Sequence, residues 1–571
     1  MAIAHRSPAG RRGRPVVVAI VAVALVASAC GGRKAGEKQS ADPLGGRGES
    51  GLSGAGKPVR GGNLVYGLEA DTAGGFCLPE GQLAISGMMV VRAIYDTLTV
   101  PNSKGDYSPY LAKSVTHNAN YTTWDITLRS GVLFHDGTKL DGKVVKNNLD
   151  AYRGKYPGRA SLLAGFTLSN ISSVTITGPF VVEVKTKVPW AAFPAYLYGG
   201  SRFGIMAQAQ LDDKKTCDRK LIGTGPFVFK SWQPNTKFDA VRNPHYWQIA
   251  PDGKPYPYAD SIEFRPIPES QQRVNGLQAG TLNVIHTSST NDISGPLRSL
   301  RNKKAINMMV SQDHAEVGYL LLNASQPPFD DVRMRRAFAM AIDRTEVNNI
   351  LANGLPTVAN GPFAPGNVGY LKDPGFPKHD TLAAKRLVSQ YVKEGHKATV
   401  TLTLLADPAI ERLGALLQQQ VAKAGITLRP SSSEQAQLIN TAIGGKFQAL
   451  TFRNHPGGDP DTQYVWWYDG NPDPKVSTNP VNFGRINDPV MDKLLDTGRS
   501  EIDPAKRQRI YQDVNRRFAK QVWNVWLSYT AWAIAENSKV HGILGPDLPD
   551  GSKPFTGLAT GHPVLGMWID K

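Results

Sequence analysis

At 571 residues, with 41% hydrophobic and 20% charged content, the chain is too long for one core and too mixed in composition for a fibrous or disordered class, so it should divide into two or more globular domains. The formal net charge of +17 suggests nucleic acid as a partner. Yet the lysines and arginines are spread along the whole chain rather than gathered in a tail or stripe, which fits a soluble basic surface better and argues against a nucleic-acid partner.

Arg6, Arg11, Arg12 and Arg14 precede an uncharged run at residues 16–29. That run is shorter than the about 20 residues that cross a bilayer, and a basic start, an apolar middle and a small-residue end read as a secretory signal at 1–29. The end, Ala27-Ser28-Ala29-Cys30, resembles a bacterial lipobox, with Cys30 as the acylated residue and Ala27 where Leu or Val is usual. Ordinary cleavage beside an incidental cysteine is the alternative. Residues 30–59 are rich in Gly, with Ser and Lys, lack an apolar period and read as a lipidated flexible tether. Gly51, Gly56 and Lys57 have phosphate-loop spacing, but Pro58 replaces the Ser or Thr that would hold magnesium and no strand precedes them. The other two cysteines, Cys77 and Cys217, are an even remainder in an exported chain and permit a disulfide; two isolated cysteines make no metal site.

Order begins near Arg60. Residues 63–68 suit a strand, 70–80 a Gly-rich loop at its end, and 83–98 a helix. Residues 121–128 alternate, with Trp124, Ile126 and Leu128 on one face, and 174–186 carry a further strand pattern. Residues 262–267 read as a strand and 306–322 as the strands that pass between lobes. In 318–343, an apolar run of strand length is followed by Pro327-Pro328, an N-cap at Asp330 or Asp331, and a helix with Met334, Ala337, Phe338, Ala341 and Ile342 on one stripe, Arg335 and Arg336 off it. Asp343 and Glu346 have capping-box spacing. Residues 399–405 read as a strand, 410–424 as a helix ended by Gly425, 447–452 as a strand, 510–525 as a helix, and 527–534 as a strand returning to the first lobe.

Four segments carry a resemblance. Leu322-Asn323, Pro327-Pro328-Phe329-Asp330-Asp331-Val332-Arg333, Trp124 through Arg129-x-Gly131-Val132-x-Phe134-His135-Asp136-Gly137, and Ile222-Gly223-Thr224-Gly225-Pro226-Phe227 with Asn243-Pro244-x-Tyr246-Trp247 resemble the signature wording of the oligopeptide-, dipeptide- and nickel-binding solute receptors of ABC importers, in their lipoprotein form. The resemblance implies an α/β, two-lobed periplasmic-binding-protein type II fold, with mixed sheets flanked by helices and an extra subdomain in the first lobe. Residues 60–100, 220–312 and 528–571 would form the main domain of that lobe, 101–219 its subdomain, and 313–527 the second lobe. It also implies capture of a peptide or related small solute between lobes that close by hinge motion, delivery to the membrane subunits of an ABC permease, a lipid-anchored position on the extracytoplasmic face, and a monomer without cofactor. A nickel chelate, a sugar or an opine in the same fold, or a surface scaffold that lost transport, are the alternatives.

No catalytic constellation appears: the eleven histidines include no pair four apart, and HExxH and GxSxG are absent. The cleft candidates are Phe76, Glu80, Phe452, Arg453, Asn454, His455, Asp459, Asp461 and Trp466. In peptide-binding members of the family, a carboxylate on the loop after a second-lobe strand holds the peptide's amino terminus. Here that position falls on His455 or Pro456, with Arg453 nearby. The expectation is a ligand not held by a free ammonium, unless Glu69, Asp71 or Glu80 serves instead.

Overall fold

The computed structural model describes residues 56–570 apart from 73, 82, 162, 455–456, 471–478 and 560–561. The signal segment, Cys30 and most of the tether therefore lie outside the described residues, as does His455. Among the described residues, no helix is long and apolar enough to cross a membrane.

Two sheets organise the chain. The first has seven strands in the spatial order Ile306–Ser311, Trp532–Asn537, Val284–Thr287, Asn63–Leu68, Ser261–Pro266, Lys237–Arg242, Phe227–Gln233. Only the central strand Asn63–Leu68 pairs in parallel, with both of its neighbours. Alternation along the strands sends Leu64, Tyr66 and Leu68 into one core, and Ile285, Met308, Val310 and Ala533 into another on the opposite face. The second sheet runs Thr427–Ser433, Thr399–Leu405, Ala449–Arg453, Val317–Leu322, Asn524–Tyr529 and has its own core. A four-stranded antiparallel sheet, Ala112–His117, Thr123–Leu128, Val181–Thr186, Ile171–Gly178, packs its Trp124, Ile126 and Val184 into the first-sheet core.

The chain crosses between the large sheets twice. Ile306–Ser311 ends in the first and Val317–Leu322 begins in the second; Asn524–Tyr529 ends in the second and Trp532–Asn537 begins in the first. Residues 527–534, expected as one strand, are thus the end of one strand and the start of another. The helix expected at 510–525 is Pro504–Gln521. It stops because Val522 takes a left-handed φ of 53°, and the apolar residues that seemed to prolong its stripe begin the next strand. The single strand pattern at 174–186 is a hairpin, Ile171–Gly178 with Val181–Thr186.

Capping explains where the second lobe's helices start. Asp331 accepts the Arg333 N–H at 2.7 Å and opens Val332–Ala341. Asp343 accepts from Thr345 and Glu346, both at 3.0 Å. The Glu346 carboxylate accepts from Gln420 Nε2 at 2.7 Å, so the box stays half closed. The stripe Met334, Ala337, Phe338, Ala341 and Ile342 is buried. Arg335 is buried too, contrary to its place off the stripe. Its guanidinium donates to the Phe329 and Gln521 carbonyls, each at 2.7 Å, and so satisfies donors that burial would otherwise strand.

Candidate ligand-binding site

The strand Ala449–Arg453 lies beside Val317–Leu322 with Phe452 opposite Tyr319, and Asn524 sits opposite Leu321 on the other flank. Side chains of one parity therefore present Tyr319, Leu321, Phe452 and Asn524 on one face. Over that face lie Trp466 of the short helix Tyr464–Trp467 and Phe483 of the following loop. Phe452 meets Phe483 edge-on at 5.5 Å, and Trp466 meets it at 5.3 Å. Between them is a pocket with about 360 Å³ of open space, partly continuous with solvent, lined also by Arg453, Asn454 and Gln463. Among the described residues, Arg453 is its one charged lining residue and no carboxylate lines it. Asn524 is 2% exposed and its Oδ1 is buried without a hydrogen-bond partner.

Arg453 ends its strand with a side chain 45% exposed. It donates from one terminal nitrogen to Glu316 Oε1 at 3.2 Å and lies over the Trp532 ring at 5.8 Å. Trp532 belongs to the first sheet, so this guanidinium spans the crossing between the lobes. Burial pushes the Glu316 carboxyl pKa up, with Arg453 and the Trp532 indole N–H, which donates to both carboxylate oxygens at 3.0 Å, pulling it back down. Beneath Trp532, His286 stacks at 4.2 Å, and burial lowers its pKa to about 4. Asn454 is held from both sides: its N–H donates to the Val317 carbonyl, its Oδ1 accepts the Val317 N–H, and its Nδ2 donates to the Pro362 carbonyl. It fixes the loop's departure from the sheet.

The structure thus brings Phe452, Arg453, Asn454 and Trp466 together. His455 lies outside the described residues, and the other candidates go elsewhere, each for a physical reason. Phe76 is a correction: it is fully buried in the first lobe, edge-on to Trp232 and Phe238. Glu80 accepts from Arg159 and the Ala160 N–H, beside the disulfide that joins Cys77 to Cys217. Asp459 and Asp461 are corrections as well. Asp459 takes a two-pronged bond from Arg507, at 2.7 and 2.9 Å. Asp461 is fully buried and accepts from Arg499 at 3.0 Å and from the Trp190 indole at 2.7 Å, while its carbonyl accepts the Tyr196 hydroxyl. Trp190 and Tyr196 precede the crossing and Asp461 follows it, so this carboxylate clamps the two parts of the chain and has no oxygen left for a ligand. Burial would lower the Arg499 pKa, but the Asp461 carboxylate outweighs it and holds the guanidinium charged.

The other acids weighed as an ammonium anchor are also engaged. Glu69 accepts the Ser288 N–H at 2.6 Å and hydroxyl at 2.9 Å. Asp71 accepts from the Trp232 indole and the N–H groups of Thr72 and Asn235. Tyr319, Leu321, Phe483 and Asn524 were not legible as site residues. The one sequence signal was Asn524, an amide opening a run that is otherwise Val-Trp-Leu. His135, beside Asp136 in a Gly-bounded turn, ties loops together: Nδ1 accepts the Gly223 N–H and Nε2 bonds the Gly225 carbonyl.

This architecture is the two-lobed type II fold of the periplasmic binding proteins. The chain belongs to the bacterial extracellular solute-binding proteins, family 5, whose model matches residues 106–475. It is 24% identical over 548 residues to the oligopeptide-binding protein AppA of Bacillus subtilis, covering 89% of this chain and 92% of that one. It is 25% identical over 448 residues to the nickel-binding protein NikA of Staphylococcus aureus, covering 78% and 85%. Among solved structures, the Helicobacter pylori periplasmic binding protein DppA in complex with the peptide STSA superposes with a TM-score of 0.77 at 22% identity, over 90% of this chain and 99% of that one.

Proposed function

We propose that this protein is the extracytoplasmic receptor of an ABC importer, tethered through acylated Cys30, acting as a monomer and without chemistry of its own. It captures a peptide or related small solute between its lobes and presents it to the permease. Relatives named for oligopeptides, for nickel and for glutathione support solute capture and leave the solute class open.

The observation that carries the reading further is the charge of the pocket: aromatic walls, a half-exposed guanidinium at the edge, and no acid among the described lining residues. Such a site favours a ligand that brings a carboxylate or a neutral polar group to Arg453 over one held by an ammonium. Calorimetric titration with a peptide series tests it. Acetylating the amino terminus should change the dissociation constant by less than about 3-fold, and amidating the carboxyl terminus should weaken binding by about 10-fold or more. A strong preference for the free amine would overturn the Arg453 assignment while leaving solute capture intact.

A further inference from the structure

The wall of the aromatic pocket holds a polar group that the fold does not satisfy. Asn524 opens the strand Asn524–Tyr529, opposite Leu321, and is 2% exposed. Its neighbours in that wall, Leu321, Trp467, Val481 and Ile486, are apolar and buried. Among the described residues, no hydrogen-bond donor reaches its Oδ1. Two other buried amides of this lobe are placed differently. Asn323 donates to the Gly445 and Phe447 carbonyls, each at 2.9 Å, and its Oδ1 accepts the Ser325 N–H at 3.1 Å. Asn482 donates to the Ile486 carbonyl at 2.7 Å and accepts its N–H at 3.0 Å. Each of those oxygens fastens a loop, and that of Asn524 fastens nothing. A buried carbonyl oxygen without a donor costs about 1–3 kcal/mol, and leucine, of nearly the same shape, would remove that cost.

What reaches this oxygen must donate a hydrogen bond and must be small. Most of the pocket's open space borders solvent, and the part enclosed between its walls admits only about one or two heavy atoms. An ammonium would exchange its hydration for a single neutral acceptor among apolar walls, which burial makes far more costly for a charge than for a hydroxyl. A carboxamide brings a third heavy atom. A hydroxymethyl group fits both demands: its O–H donates to Oδ1 and its methylene lies against the apolar walls.

We propose that Asn524 sets specificity: its Oδ1 accepts a hydrogen bond from a hydroxymethyl group, so the pocket favours a peptide with a serine side chain at one defined position over the same peptide with alanine there. The assignment rests on the reading of this pocket as the solute site and adds to the carboxylate contact at Arg453.

Isothermal titration of the purified protein with tetra-alanine and its four single-serine variants tests it. One serine peptide should bind about 10-fold more tightly than tetra-alanine, and the others within about 2-fold of it. In Asn524→Leu that 10-fold ratio should fall to about 1. The same variant should raise the thermal unfolding midpoint of the solute-free protein by about 1–2 °C, because it removes an unsatisfied buried acceptor. Equal affinity for all the peptides would overturn this assignment and leave peptide capture standing. So would a serine advantage that survives in Asn524→Leu, or a lower midpoint in that variant, which would mean that the amide serves the fold. Binding of none of the peptides up to about 1 mM would overturn the assignment together with the peptide reading.

Discussion

Two arginine–carboxylate pairs of the second lobe do opposite things. Arg499 and Asp461 are sealed, with side chains 4% and 0% exposed, inside a cage of Trp190, Tyr196, Tyr464 and Tyr511. Arg453 and Glu316 are half open: the acid is buried and the arginine, held by one of its nitrogens, stands at the edge of the aromatic pocket. The chemistry is the same; the difference is how many donors and acceptors remain unspent. A sealed pair can only hold the fold together, because its bonding capacity is exhausted by the protein. An open pair can trade part of its hydration for a ligand.

The largest test of this contrast is Asp461→Ala. It would leave Arg499 buried and uncompensated and strand the Trp190 indole N–H, so unfolding free energy should fall by about 3–5 kcal/mol. Urea denaturation measures this. If the variant kept wild-type stability but lost its solute, Asp461 would be a ligand contact and the contrast would fail. Next comes the disulfide. Cys77 and Cys217 are 140 residues apart, and replacing both by Ser should cost about 4 kcal/mol, toward the upper end for so long a loop. Solute affinity, measured on the folded fraction, should stay within about 2-fold, because the bond lies away from the pocket.

A pH series gives a smaller effect and separates fold from site. Burial lowers the His135 pKa to about 4. Below about pH 6.5 the unfolded chain takes up a proton that the folded form refuses until about pH 4. The stability tied to keeping His135 neutral is therefore complete above pH 6.5 and lost as pH falls toward 4, amounting to about 2 kcal/mol at pH 5. His135→Gln preserves one acceptor and one donor for Gly223 and Gly225. It should shrink the stability difference between pH 7.5 and pH 5 by about 2 kcal/mol, with solute affinity of the folded protein unmoved.

The contrast also marks what the sequence could convey. Strand Thr399–Leu405 and the helix caps at Asp331 and Asp343 were legible because alternation and capping are local. The pair Asp459 and Asp461 was visible as a motif, but its meaning depended on Arg507, Arg499 and Trp190, which are 48, 38 and 271 residues away. Nothing local distinguishes a carboxylate awaiting a ligand from one already claimed. The same holds for Phe76, an aromatic in a Gly-rich loop that turned inward. The pocket wall was illegible for another reason: Tyr319, Phe452 and Asn524 come from three strands whose adjacency is tertiary. The helix expected to reach residue 525 shows the limit of periodicity, since Trp523 and Val525 fit a helical stripe until the left-handed turn at Val522 is known.

Arg453→Met is the smallest and most discriminating change. The methionine keeps much of the aliphatic stem while removing the charge. The lost bond is partly solvent-exposed, so stability should drop by only about 1 kcal/mol. Glu316 retains the Trp532 indole N–H, and its carboxyl, already pushed up by burial, rises further without the guanidinium and can take a proton in place of the lost partner. Solute affinity should nevertheless fall by about 10-fold, roughly 1.4 kcal/mol, for ligands with a free carboxylate, and hardly at all for their amides. A double-mutant cycle pairing Arg453→Met with ligand amidation reads that coupling directly, because each change removes one end of the same contact. A coupling near zero would make Arg453 a structural residue like Arg499, and the two pairs would differ in exposure alone.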